Sequence, residues 1–280
     1  MDVLKVHENG FDDLVCITPP DCELSSASSI QQRDRGKAPG IRKSNGKWTG
    51  YSWCSGKPSR SEIKQWRGWN ANFGLRSTFF PGIDIDVLDK DLAEDIEKLA
   101  IGILGDAPTR IGRYPKRLLI YRTDKPFPKR ILKFWNTDQE ESLVEVLGEG
   151  QQFVIEGIHS TTGKSYSCTP GLDSIHSEVL KPIDENLLNK FFFKLIKWLS
   201  DKGIKTKIYN PSNQDRTRIE QDSLKGDPNL IADAIAHIPN NTNYKEWIDM
   251  GHAIKAALPD QEGEALKIWH QFSSRWTQGE

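Results

Sequence analysis

Short runs of alternating apolar and polar residues fill most of the chain, and helical spacing takes over towards its end. Residues 14–18 are an apolar run closed by Pro19-Pro20, which predicts a strand. The Ser-, Gly- and Arg/Lys-rich stretch SSASSIQQRDRGKAPG that follows predicts a loop. Residues 59–69 predict a short helix with Ile63 and Trp66 on one face, and residues 72–75 and 81–87 predict strands around a Phe-Phe-Pro-Gly turn. Leu92, Ile96, Leu99 and Ile103 lie on one face of a helix over 91–104, with Gly105 as its stop. Strands are expected at 118–121 and 143–147. A hairpin is expected from 153–158 and 165–168 across His-Ser-Thr-Thr-Gly, and an apolar helix over 187–199 is ended by Gly203. This mixture, with hairpin-like connections, predicts an α+β fold with a mixed or antiparallel sheet rather than a doubly wound one. Residues 205–227 are polar and basic and read as a linker. Residues 229–238, 244–258 and 262–276 return to helical periodicity. The expected organisation is therefore a large domain over 1–204, a linker over 205–227 and a small helical domain over 228–280.

Composition narrows the picture only slightly. The 280 residues are 36% hydrophobic and 28% charged, as in a soluble globular protein, and the net charge of −1 gives no global attraction to nucleic acid. Any such binding must rest on local basic patches. The N-terminus lacks the basic and apolar segments of a signal peptide, and no apolar run is long enough to span a membrane. Cys16, Cys22, Cys54 and Cys168 form no CxxC pair, which argues against a zinc knuckle and fits reduced thiols in a cytoplasm.

The sharpest chemical signal is Gly82-Ile83-Asp84-Ile85-Asp86-Val87. Residues two apart on a strand share a face, so Asp84 and Asp86 sit together while Ile83, Ile85 and Val87 face the core. Two adjacent anions repel, and a divalent cation such as Mg²⁺, which favours carboxylate oxygens, relieves that repulsion. The alternative is a solvated strand face, which Asp, a poor strand former, makes weaker. Glu145 repeats the setting within Leu143-Val144-Glu145-Val146-Leu147; it is either a third metal ligand or an ordinary exposed strand residue. Between these strands, Arg110, Arg113, Lys116, Arg117 and Arg122 cluster in TRIGRYPKRLLIYR, shaped by Gly112 and Pro115. They are suited to phosphates, although a solvated basic loop is the commoner outcome. Beyond them, GQQFVIEGIHSTTGKSY brings Gln151 and Gln152 after a glycine turn, and His159 and Lys164 at a second turn. A histidine at a strand end suits a phosphate or a sugar hydroxyl.

The order of these segments carries a resemblance. GKAPG, an Asn-Phe-Gly-Leu strand, PGIDIDV, RIGRYPKRLLIYRT and LVEVLGEGQQFVIEGIHSTTGKSY, over about residues 10 to 200, resemble the bifunctional primase–polymerase domains of phages and mobile elements, within the archaeo-eukaryotic primase superfamily. The resemblance implies an RRM-like sheet beside a smaller αβ unit. It also implies template-dependent nucleotidyl transfer with two Mg²⁺ or Mn²⁺ ions held by Asp84, Asp86 and Glu145. Where the family commonly carries a histidine between its acidic motifs, this chain reads Tyr114-Pro115-Lys116-Arg117. The implied nucleotide contacts are Arg113, Lys116, Arg117, Gln152, His159 and Lys164, and the implied DNA contacts are Lys37, Arg110 and Arg122. Residues 228–276, with Ile238-Pro239, Trp247-Ile248 and the Trp269 to Trp276 segment, are similar to a primase C-terminal helical module. In relatives a helicase or ATPase region follows, and this chain has no GxxxxGK[ST] motif. The implied partners are a single-stranded DNA template or primer, dNTPs or NTPs, and a helicase or ATPase region or subunit, with no membrane, in the cytoplasm of a bacterial host. A metal-dependent nuclease using the same carboxylates and a non-catalytic replication-initiator module are the alternatives from other classes.

Overall fold

Alternation along the strands sorts the first part of the chain into antiparallel sheets, as seen in a computed structural model that describes residues 1–135, 141–209, 226–241 and 244–276. The chain divides into two compact units, residues 1–212 and 213–280. In the first unit, β1 (Leu14–Ile17), β4 (Asn72–Arg76) and β10 (Gln152–Glu156) form a three-stranded sheet in the order β1-β4-β10. β5 (Gly82–Asp86), β6 (Thr109–Ile111), β7 (Arg117–Ile120), β8 (Arg130–Trp135), β9 (Glu141–Leu147), β11 (Ser167–Thr169) and β12 (Lys205–Tyr209) form a seven-stranded sheet, ordered β11-β6-β7-β5-β9-β8-β12. A two-stranded ribbon, β2 (Ile41–Arg42) and β3 (Trp48–Thr49), completes the set. Every pairing between named strands is antiparallel, so the α+β expectation stands.

The helices begin where polar caps satisfy their first amides. Ser59 and Glu62 form a reciprocal capping box on α2 (Arg60–Gly68). Asp89 and Asp184 accept from the first turns of α3 (Lys90–Leu104) and α4 (Glu185–Asp201) at 2.9 and 2.8 Å. Gly105 ends α3 at φ +92°, in the region open to glycine. Helices α3 and α4 cover one face of the large sheet, burying Ile83, Ile85, Val87, Leu119, Val144 and Val146 with Ile96, Phe191 and Leu195. The small sheet lies against α2 and α1 (Val3–Glu8) through Leu14, Cys16, Phe73, Leu75 and Phe153. The same core takes in Leu118, Ile120 and Leu147 from the other face of the large sheet. The small αβ layer thus covers one end of that face and leaves the end bearing Asp84 and Asp86 open.

Two expectations need correction. Lys205–Tyr209, read as the start of a linker, is an edge strand: Ile208 pairs with Leu132 and Thr206 with Phe134. Its alternating Lys, Thr and Ile fit an edge strand, where exposed charge is tolerated and discourages further pairing. The rest of the expected linker, 210–225, lies outside the described residues. The second concerns the hairpin over 153–168. Its tip forms, with His159 N–H donating to the Lys164 carbonyl at 2.8 Å. Its arms then diverge, β10 into the small sheet and β11 into the large one, so this hairpin straps the two sheets together.

The second unit holds α5 (Pro228–Ala236), α6 (Tyr244–Ala257) and α7 (Glu262–Ser273) around Ile235, Ile254, Leu258, Ile268 and Phe272. Asp227 caps α5 with Pro228 in its first turn, and the Arg275 guanidinium donates to the Ala236 and Ile235 carbonyls at its end. Among the described residues no helix is long and apolar enough to cross a membrane, and all four cysteines are free.

Candidate functional site

The central strand β5 places the acidic side chains. Asp84 stands directly opposite Glu145 on β9 and Leu118 on β7, and Asp86 opposite Leu143. Cross-strand partners share a face, so Asp84, Asp86 and Glu145 project from the same open side. Ile83, Ile85 and Val87, all fully buried, anchor the strand from behind. The row through Asp84 continues outward to Arg110 on β6, which pairs with Leu118, and to Cys168 on β11. Glu145 continues it the other way, to Ile131 on β8.

Each flanking carboxylate is met by an ammonium group. Lys116 is ion-paired with Asp86, and Lys129 reaches Glu145 at 3.1 Å. Asp84, between them, has burial pushing its carboxyl up to about 6, with Asp86 and Glu145 adding to the rise and Arg110 and Lys116 opposing it. Among the described residues no three His, Cys, Asp or Glu side chains are closed around a point ready for a metal ion. The donor chemistry nonetheless fits one. The three carboxylates offer hard oxygens on adjacent strands, and two lysines, one of them ion-paired with the Asp86 Oδ1, supply the positive charge a divalent cation would bring.

A ring of cations lies beside the carboxylates. The His159 imidazole is held below its usual pKa by burial and then by Arg110, Arg113, Lys37 and Lys116. Its Nδ1 accepts from the Thr161 and Thr162 amides, both at 3.2 Å, which leaves the proton of the neutral ring on Nε2. The ring packs on Tyr166 with centroids 5.3 Å apart, and the Arg110 guanidinium lies over the other part of that stack, 5.3 Å from the Tyr166 centroid. The Arg110 Nε is buried without a hydrogen-bond partner. Gly112 makes this packing possible, since a Cβ there would lie 2.4 Å from the Tyr166 ring and 2.7 Å from His159.

Of the residues singled out in the sequence, Asp84, Asp86, Glu145, Arg110, Lys116 and His159 come together, and Arg113 and Lys37 lie near enough to act on the His159 imidazole. Gln152 is tied to them indirectly, its Nε2 donating to the Lys37 carbonyl at 2.8 Å. Lys164 is exposed on the hairpin turn. Arg117 and Arg122 stand elsewhere. Arg117 pairs with Ile85, so it points to the helix-covered face, where it is buried against Glu97 and donates to the Pro115 carbonyl at 2.9 Å. Arg122 donates to the Leu180 carbonyl at 3.0 Å and pairs with Asp124. Both hold the fold together: the strand's two-residue period turns Arg117 to the face opposite Asp84, while Arg122, beyond the end of β7, is tied to the Leu180 carbonyl.

Three contributors have no sequence signal of their own. Lys129 is one basic residue among many, Tyr166 is marked only by lying in the TTGKSY turn, and Asn72 reads as a strand residue. Asn72 is 2% exposed and donates through Nδ2 to the Gly36 and Ile158 carbonyls while its Oδ1 accepts from the Ile158 amide, all at 2.9 Å. It joins the Lys37 loop to the His159 hairpin. Gly157, at φ +117°, leaves room for it: a Cβ there would lie 2.0 Å from the Asn72 Oδ1. Replacing Asn72 by Ala should destabilise the chain by about 3 kcal/mol, because it strands buried backbone groups. A thermal or urea melt measures this, and a Tm unchanged within error rejects the tether.

Comparison with known families gives one match. A family described as Primase C terminal 2 (PriCT-2) matches residues 231–279, which takes in α6, α7 and all but the first turn of α5. No curated protein matches the chain. The match supports a primase-type protein with a role in replication initiation.

Proposed function

We propose that the first unit is a nucleotidyltransferase that extends or initiates DNA strands on a single-stranded template, as a primase–polymerase. The observation that carries this reading is the placement of Asp84 directly opposite Glu145, with Asp86 on the same face, beside Arg110, Arg113, Lys37, Lys116 and His159. Carboxylates next to a ring of cations suit a triphosphate approaching with divalent metal, and the PriCT-2 match over residues 231–279 supports a primase-type protein.

In this reading Asp84, Asp86 and Glu145 hold Mg²⁺ or Mn²⁺, which supplies charge stabilisation to the attacking and leaving oxygens of the displacement. Arg110 and Arg113 offset the charge of the triphosphate. Lys116, paired with Asp86, and Lys129, paired with Glu145, balance the carboxylate charge in this structure and would be available to phosphate oxygens where a divalent cation held that charge instead. His159, held neutral with its proton on Nε2, donates a hydrogen bond to a phosphate or sugar oxygen. With Arg113 and Lys116 it stands in for the histidine that the resembled family commonly carries where this chain reads Tyr114-Pro115-Lys116-Arg117. Residues 231–279 serve initiation, and a helicase or ATPase region or subunit is the expected partner.

Primer extension tests the reading. Wild-type chain, single-stranded template, labelled dNTPs or NTPs and Mg²⁺ or Mn²⁺ should give products that lengthen stepwise and require triphosphates. Shortening of the strand without triphosphates identifies a nuclease, and binding without incorporation identifies an initiator module.

A further inference from the structure

The cation ring does not end at His159. The outer face of the small sheet carries Val15, Ile17 and Val154, and against them pack Tyr166 on one side and Tyr51 and Trp53 on the other. Tyr166 belongs to the His159–Arg110 stack. Tyr51 and Trp53 line a cavity of about 370 Å³ with Ser29, Ile30, Asp34, Lys37, Ala38 and Pro39. Lys37 therefore belongs to both places: it lines this cavity and acts on His159. A continuous path of aromatic faces and basic groups runs from the carboxylates, past Arg110, Tyr166 and His159, to Trp53.

The two aromatics of the cavity differ in what they offer. The Tyr51 hydroxyl accepts from the Cys16 amide at 3.0 Å, which fixes the ring against β1 and leaves its O–H as a single donor. Trp53 is partly exposed, and its loop is fixed from beneath: Arg76, buried in an ion pair with Asp13, donates to the Trp53 carbonyl at 3.3 Å. The ring is thus presented on a rigid mount. In the cavity wall Lys37 is exposed and offsets Asp34 at 3.8 Å. An aromatic face with cations beside it suits a stacked nucleobase, since stacking accepts any base.

We infer that Trp53, with Tyr51 and Lys37, forms a stacking subsite for single-stranded nucleic acid, holding a base of the template strand while Lys37 contacts its backbone. The inference rests on the nucleotidyl-transfer reading for the direction of the path, and its subsite is separable from the carboxylates. Strand binding at Trp53 requires neither metal nor nucleotide, whereas chemistry requires both.

The test uses the full chain and a fluorescein-labelled oligo-dT, with anisotropy read in EDTA across a salt series. Trp53→Ala should weaken oligonucleotide binding roughly fivefold or more with little change in salt slope, the signature of lost stacking. Trp53→Phe should retain most of the affinity, which guards against a folding defect. Lys37→Ala should instead lower the salt slope by about one. Wild-type affinity in Trp53→Ala overturns the inference, and so does unchanged strand affinity with weakened binding of dTTP, which assigns the cavity to the incoming nucleotide. Primer extension run in parallel separates the two readings. Extension with a strand affinity insensitive to Trp53→Ala removes the subsite alone. A Trp53-dependent affinity without extension by the wild type removes nucleotidyl transfer alone.

Discussion

Asp84→Asn is expected to abolish nucleotide incorporation while making the chain more stable at neutral pH in the absence of divalent metal. The loss follows from removing a central metal ligand, and should reach roughly 10²–10³-fold or more, the scale of losing one preorganised electrostatic group at a reacting centre. The gain follows from the carboxyl that burial pushes up to about 6 from its ordinary 3.8. A group that holds its proton more tightly folded than unfolded contributes stability that is complete below the unfolded value and lost as pH rises through the folded one. At pH 7.5 the chain therefore carries the cost of a charged Asp84 facing Asp86 and Glu145. Asparagine carries no such cost, so the advantage of the variant in chelator should appear as pH rises from about 4 to 7, and added Mg²⁺ should stabilise wild type more than the variant. Melts with and without EDTA, beside primer extension, read both effects. Extension at the wild-type rate by a folded variant contradicts the site, and a pH-independent stability difference contradicts the buried, like-charged setting.

Arg110→Met should give the second large effect. Arg110 lies on the row of Asp84, over Tyr166, with a buried Nε that lacks a hydrogen-bond partner. Methionine keeps much of the packing and removes the charge. Contacts to a charged group are worth about 1.5–3 kcal/mol, so KM for nucleotide should rise roughly tenfold to more than a hundredfold. kcat should fall less, and the affinity for an oligonucleotide should change little. Unchanged KM with weakened oligonucleotide binding assigns Arg110 to the strand. The contrast is Arg117, buried against Glu97 behind the sheet: its loss should lower Tm and leave KM nearly alone.

These residues also mark how much of the molecule was legible in its sequence. The alternation Ile83-Asp84-Ile85-Asp86-Val87 gave the face of both aspartates, because strand period is a local property. That Glu145 stands opposite Asp84 depends on β9 pairing with β5 in one register, which alternation alone leaves open. The basic run from Arg110 to Arg122 was visible as composition, but its division between the site and the helix-covered face was not. Arg117 and Lys116 are neighbours in sequence, and the pleat sends one to Glu97 and the other to Asp86. The edge strand Lys205–Tyr209 was hidden because its lysines satisfy both a linker and an edge. The hairpin after Gln152 was read as a unit, whereas its arms join different sheets, a choice made by tertiary packing. The apolar character of α3 and α4 is a local feature and was legible, although the buried face of α3 centres on Ala93, Ile96, Ala100 and Leu104, with Leu92, Leu99 and Ile103 at its margin.

The account stands most directly on the carboxylates binding divalent cations together with a nucleotide. Titrating Mn²⁺ into the chain with a non-hydrolysable dNTP analogue, with free Mn²⁺ followed by electron paramagnetic resonance, measures this without requiring turnover. The account predicts saturable uptake approaching two ions per chain, as two-metal sites require. It also predicts that this uptake is greatly weakened by Asp84→Asn and by Glu145→Gln in chains that remain folded. Uptake absent from the wild type, or equal in wild type and both variants, would contradict it.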